Sequence, residues 1–262
     1  MASVPELLSL LRDNPSVNVN WADNVNRWTA LHSASRLGHS EVVKTLLTHP
    51  HINVNQKDKY GQTPLSRACE NGKVTAVWVL LKDPRVDVTL DDLNERTPLW
   101  HASHNGHHEV IEWLIASGRD LGDIKKKGKS NNGREFTALE IARRVEKTKV
   151  VDVLESFLTN STQTRREVRV KHGVLDELAA EVFALTVFQC DDLLSLKPAL
   201  ALTTSNPAAV FRFFIMASKL PMELQMVLCH RAVGSMRQNI LHKDSEAAFK
   251  HLATILLSSQ SN

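Results

Sequence analysis

His101, His104, His107 and His108, followed by Glu109, fall within the ten residues HASHNGHHEV. Neutral imidazole is the commonest protein ligand for zinc, so this is the first stretch whose residue types invite chemistry. His101 and His104 stand three apart and would share one exposed face of a helix. Two ligands are too few for zinc, which takes three or four, and His108 falls on a different helix. Surface or structural histidines are the better reading, and no metal is expected. Cys190, Asp191, Asp192 and His230 hold the types of a nucleophile, a base and an orienting group. Nothing in the sequence brings them together, and a core thiol with surface acids is the simpler reading. The aromatic run FRFFIMASKL, at 211–220, reads as core packing at helical spacing rather than a recognition stripe.

The elements that would position such groups must be built from 262 residues, of which 42% are hydrophobic and 23% charged. That composition supports a sizeable core in one large or two ordinary domains. A formal charge of +3 is too small to announce nucleic-acid or acidic-membrane binding. Cys69, Cys190 and Cys229 are an odd, scattered set that fits reduced thiols inside a cell. The start, MASVPELLSLLRDNPS, has no basic region leading into an apolar stretch, and no apolar run approaches the ~18 residues of a membrane span. No Gly-rich phosphate loop or catalytic cluster is present. The sequence therefore predicts an intracellular, cytoplasmic or nuclear protein that is not an enzyme, holds no cofactor, and is monomeric.

Self-comparison reveals a repeat. WTALHSASRLGHSEVVKTLL (28–47), QTPLSRACENGKVTAVWVLL (62–81) and RTPLWHASHNGHHEVIEWLI (96–115) follow one another at 34-residue spacing. A weaker fourth copy, FTALEIARRVEKTKVVDVLESF, begins 40 residues after the third. Thr29, Thr63, Thr97 and Thr137 stand where a hydroxyl caps a helix start. Pro64 and Pro98 take the first helical position, where the missing N–H costs nothing. Leu31, Leu65, Leu99 and Leu139 begin an apolar stripe, and Ala34, Ala68, Ala102 and Ala142 keep that face thin. Gly38, Gly72 and Gly106 end the short helix in the left-handed conformation. Each unit is a helix–turn–helix joined by an extended loop, unable to bury its apolar face without a neighbour.

This pattern resembles the ankyrin repeat, over about residues 5–158. The resemblance implies an all-α ankyrin-repeat solenoid, a half repeat (5–12) plus about four repeats; after residue 173 the repeat stops, and helical runs there predict a small C-terminal helical bundle. Only Gly61 fills the family's turn glycine, where the other copies have Arg27, Glu95 and Glu135. Only His32 keeps the motif histidine, replaced by Ser66, Trp100 and Glu140. His39 and His107 fall on the family's Gly-His position, which implies a structural hydrogen-bonding role.

The basic run Lys125, Lys126, Lys127 and Lys129 lies in the long third loop and reads as solvated. The stretch 159–172, polar and without apolar period, reads as a linker between an ankyrin domain (1–158) and a helical domain (173–258). Copy four's second helix carries Val150, Val151, Val153, Leu154, Phe157 and Leu158, too many for one stripe, so cover from helices after residue 173 is expected. LPMEL, at Leu220–Leu224, resembles the opening of an F-box across 220–228. That implies an alternative function as substrate receptor of a cullin-type ubiquitin ligase.

The main functional implication of the resemblance is a non-enzymatic scaffold that binds another protein on the concave face made by turn tips and first helices. Framework residues are committed to capping and packing, so recognition falls to the positions between them. These are Asn26, Arg27 and Trp28, then Lys59, Tyr60 and Gln62, then Asn94, Glu95 and Arg96 on the turns. The first helices add Ser33, Arg36, Arg67, Glu70, His101 and His104. Exposed His101 and His104 would tighten contact with an acidic partner as pH falls through about 6.5. Joint alanine substitution of Trp28, Tyr60, Arg67 and Arg96 is expected to weaken binding without changing the melting temperature.

Overall fold

The computed structural model describes Asn14 and residues 17–190, 222–233, 240, 244–246 and 248. The chain divides into two compact units, residues 1–168 and 169–262.

In the first unit the repeat becomes four pairs of helices. They are α1 (Ala30–Leu37) with α2 (Ser40–Leu47), α3 (Pro64–Glu70) with α4 (Val74–Lys82), α5 (Pro98–Asn105) with α6 (His108–Ala116), and α7 (Ala138–Arg144) with α8 (Thr148–Thr159). Each first helix starts where expected, with Thr29, Thr63, Thr97 and Thr137 each accepting the backbone N–H three residues on. Gly38 and Gly106 end α1 and α5 at φ 81° and 82°. First helices pack on first helices and second on second. Leu31, Leu65 and Leu99 are buried with Ala34, Ala68, Ala102 and Ala142, and Val43, Val77 and Ile111 continue the core through the second helices. Fully burying one such aliphatic side chain stabilises by about 1.5–3 kcal/mol, and the alanines let the helices approach closely enough to do it.

The loops between repeats are stitched by side chains whose role the sequence does not announce. Asn20 Nδ2 donates to His51 O (2.7 Å) while its Oδ1 accepts from Asn53 N, and Asn55 repeats the pattern with Arg85 O and Asp87 N. The Arg119 guanidinium donates to the carbonyls of Leu81, Asp83, Pro84 and Val86.

At the turn tips, backbone N–H groups join successive repeats: Lys59 to Asn26 O, Leu93 to Tyr60 O, and Lys129 to Asn94 O. Gly61 sits at φ 80°, and a Cβ there would lie 2.8 Å from the Leu93 nitrogen, so this copy admits only glycine. The non-glycine copies adopt the same left-handed conformation, Arg27 at φ 57° and Glu95 at φ 61°. In the fourth turn that place is taken by Gly133 (φ 75°), not by Glu135 as the sequence alignment has it. Gly133 N donates to Ser130 O as Gly61 N does to Asp58 O. Three residues separate Gly133 from Thr137, two more than separate Gly61 from Thr63, and Glu135 instead pairs Lys129 in a hairpin of β1 (Gly128–Lys129) and β2 (Glu135–Phe136).

The left-handed region costs a side-chain-bearing residue about 1–2 kcal/mol, partly offset on change to glycine by ~0.4–1 kcal/mol of chain entropy. Arg27 is exposed. Arg27→Gly is therefore expected to raise stability by about 0.5–1 kcal/mol. A lowered melting temperature would show that the turn is not strained.

The stretch 159–172 is not an irregular linker. Residues Ser161–Lys171 form α9, opened by Asn160, whose Oδ1 accepts from Gln163 N. Its buried residues, Thr164 and Val168, stand one turn apart, which is too little apolar pattern to announce a helix. Within the first unit Arg165 donates to Ile115 O and lies over the Phe157 ring. Cover for α8 thus begins before residue 173. Val150, Leu154 and Phe157 are buried, while Leu158 stays exposed.

In the second unit α10 (Val174–Cys190) packs against α11 (Met222–Ala232). Ala180 and Ala184 are buried in a cluster with Ala248. Cys229 and His230 are also buried. The aromatic run 211–220 and the half repeat 5–12 lie outside the described residues. No described helix is long and apolar enough to cross a membrane.

Candidate functional site: the turn-tip and first-helix face

Asp58 organises the first two repeats. Its side chain is buried because five donors converge on it. Oδ1 accepts from the backbone of Tyr60 (2.8 Å) and Gln62 (3.0 Å). Oδ2 accepts from Trp28 Nε1 at 3.1 Å and from Arg67 at 2.8 and 2.5 Å. The Arg67 guanidinium also reaches Glu70 at 3.0 Å, and it lies over both the Trp28 and Tyr60 rings. Arg36 packs on Trp28 as well, 4.9 Å from the ring centroid. Trp28 and Arg67 thus fold back onto the array and join its repeats. The expectation that they are dispensable for stability is overturned, since alanine at either removes contacts between neighbouring repeats.

The third repeat corrects the sequence reading twice more. Gln62 and His101, assigned to the binding surface, are inside, at 5% and 2% exposure. His101 Nε2 lies 3.1 Å from Asp92 Oδ2 and 3.1 Å from Gln62 Nε2. Burial opposes ionisation of Asp92, but hydrogen bonds from His101 and from the Arg96 and Asn94 backbone outweigh it and lower its pKa. His104 is half-buried and stacked on Trp100, and burial followed by the Arg96 charge depresses its pKa. A pair of exposed imidazoles is therefore absent, and with it the basis for acid-tightened binding. Arg96 is spent on the Lys129 carbonyl, Asn131 and the Trp100 ring.

The motif histidine shows what a substitution can preserve. His32 Nδ1 accepts from Thr29 N, so Nε2 carries the proton and donates to Gln62 O at 3.1 Å. Trp100, in the same place two repeats on, donates its indole N–H to Phe136 O at 2.9 Å. Both carbonyls precede a capping threonine. Glu140 instead closes a capping box with Thr137. Burial lowers the His32 pKa below the usual 6.5. The unfolded chain then binds the proton first, so this stability is complete above about pH 6.5 and is lost as pH falls towards the folded value. Melting temperatures should drop between about pH 7.5 and pH 5.5. His32→Gln keeps a side chain suited to the capping box and should flatten that slope; an unchanged slope would exclude His32 as its source.

His107 Nε2 donates to Glu70 O (3.1 Å), and the ring sits against Gly72, where an added Cβ would come within 2.6 Å of it. His101 and His104 share the Trp100 ring, while His107 lies against Gly72 and His108 opens α6, so the four histidines do not converge on one point. No group of three or more His, Cys, Asp or Glu able to hold a metal occurs among the described residues. Asp191 and Asp192 lie outside those residues. Burial pushes the Cys69 thiol pKa far up, leaving it inert.

Residues 2–92 match a family model described as ankyrin repeats, in three copies, and residues 94–127 match a further ankyrin repeat. Residues 2–127 are an array of ankyrin repeats. Similar proteins include "Ankyrin repeat and LEM domain-containing protein 2" of Mus musculus, 42% identical over 55 residues, which are 21% of this chain and 6% of that protein. Inversin-B of Xenopus laevis is 42% identical over 74 residues, 28% of this chain and 7% of its own length. The chain thus spans only a small part of these relatives. The matched residues end at Lys127 and lend nothing to the F-box resemblance; of LPMEL, Leu220 and Pro221 lie outside the described residues.

On the ankyrin array the exposed large apolar side chains at the turn tips are mostly not those that sequence position favoured. Val25 (74%), Tyr60 (50%) and Leu93 (74%) project at successive turn tips. Only Tyr60 is among the expected residues. A signal for the other two exists: each apolar residue stands between the turn aspartate and the left-handed residue, where polar side chains are usual. Arg27, Lys59, Asn94 and Glu95 are also exposed, and Asn26 and Ser33 half-buried. Of the lysine run, Lys126 pairs with Asp91 (2.8 Å) and Lys129 with Glu95, while Lys125 and Lys127 are exposed.

Proposed function

We propose that the ankyrin array is a non-enzymatic interaction module that binds another protein along the turn tips and the adjoining first helices. The supporting observation is the row Val25, Tyr60 and Leu93. Three large apolar side chains are held in water at neighbouring tips, and inter-turn hydrogen bonds fix their spacing. Their exposure does nothing for folding, whereas covering them would drive association. Tyrosine is also among the residue types that dominate interface energy.

The test is Val25→Ser, Tyr60→Ser and Leu93→Ser together. Because the three side chains are exposed, the melting temperature should move little. Proteins captured from the source cells by the intact chain should be lost by the triple variant. An identical captured set would move the site off the turn tips, and recovery of a cullin adaptor would favour the ligase-receptor function.

A further inference from the structure

We infer that the segment docking on this face is acidic, an extended stretch whose carboxylate engages Arg36 while adjacent apolar side chains meet Val25 and Tyr60. The inference rests on the turn-tip reading above. Residues 23–36 and 57–70 hold five Lys and Arg against three Asp and Glu, and all three acids are engaged. Asp23 accepts the N–H groups of its own turn, Asp58 holds Arg67 and Trp28, and Glu70 holds Arg67.

Of the cations, Arg67 is held by Asp58 and Glu70 and Lys57 by Asp91, but the other three meet no carboxylate among the described residues. Arg27 is exposed with no side-chain partner. The Lys59 ammonium meets only the Val25 carbonyl and the Tyr60 ring. Arg36 matters most. Among the described residues its guanidinium meets the Trp28 ring alone, and its Nε is buried without an acceptor. A donor shielded from water and left unbonded is costly, and a planar guanidinium stacked on an aromatic is preset for two-point binding of a carboxylate. The third turn lacks this excess, because Asp91, Asp92 and Glu95 are met by Lys126, His101 and Lys129. The first two turns thus carry net positive charge and the third, with Asp91, Asp92 and Glu95 against Arg96, net negative charge, and Val25 and Tyr60 project from the first two. Acidic and apolar side chains on one extended strand fit that combination.

Random peptides of about twelve residues, ~40 Å when extended, would be displayed on phage and selected on the intact chain. Enriched peptides should carry Asp or Glu close to an aromatic or aliphatic residue. For the best synthetic peptide, Arg36→Gln should weaken binding about tenfold or more, with Arg36→Lys retaining part of the affinity. Raising NaCl from about 50 to about 500 mM should weaken it further in the wild type than in Arg36→Gln. Absence of enrichment, enriched peptides without carboxylates, or equal affinity for Arg36→Gln would each overturn the acidic assignment. The Val25, Tyr60 and Leu93 triple variant separates the two levels. Carboxylate-free peptides that it no longer binds would leave the turn-tip site standing, whereas acidic peptides that it binds normally would remove that site.

Discussion

Asp58→Ala should destabilise the ankyrin array by about 3–5 kcal/mol, the usual cost of removing one partner from a buried ion pair. The carboxylate is the shared acceptor for a tryptophan of one repeat and an arginine and two backbone N–H groups of the next. Without it Glu70 still holds one nitrogen of Arg67, but the Arg67 side chain is only 11% exposed and water cannot replace what is lost. The Trp28 indole N–H and the Tyr60 and Gln62 N–H groups lose their acceptor at the same time. Asp58→Asn keeps one acceptor oxygen for the turn and should cost less, ~1–3 kcal/mol. Urea titrations of the three proteins would show the order directly. A loss below ~1 kcal/mol for alanine, typical of a surface salt bridge, would mean that the cluster does not join the repeats.

Trp100→Ala should be comparably damaging, about 3–5 kcal/mol, because it empties a fully enclosed site and removes a cross-repeat hydrogen bond together. Trp100 is 2% exposed, stacks on His104, carries Arg96 on its ring and donates to Phe136 O. Trp100→Phe separates the contributions, since it keeps most of the volume while leaving the Phe136 carbonyl without its donor. About 1–3 kcal/mol is expected for that change. If phenylalanine and tryptophan are equally stable, the indole N–H does not substitute for the motif histidine and Trp100 acts by volume alone.

The repeat framework was legible because its determinants are local. A threonine caps the helix that begins one residue later, a proline suits only the first turn of that helix, and Gly38 or Gly106 is read from the helix it ends. Those interactions close within a few residues, so side-chain type and spacing are enough to place them. The same holds for Leu31, Leu65 and Leu99, whose burial follows from periodicity.

The surface was read less well, for a corresponding reason. Trp28 lies against Asp58 and Arg67, Gln62 against His101, and Trp100 against Phe136, all partners about one repeat away in the chain. Residue type alone makes a tryptophan and an arginine on a turn look like interface anchors. Whether they face solvent depends on a neighbouring repeat that supplies a buried carboxylate, and no local pattern encodes that. Arg27 and Glu95 hold the left-handed conformation because hydrogen bonds across the turn and between tips demand it, where their own backbone preference does not. Residues 161–171 became helical through two buried positions and a local cap, although their composition reads as a solvated connection. The amino-acid sequence by itself determined the helix pairs, their caps and the stacking core, since these depend on contacts close along the chain. Only the tertiary structure decided which polar and aromatic side chains remain available to a partner, because that depends on what the adjacent repeat has already engaged.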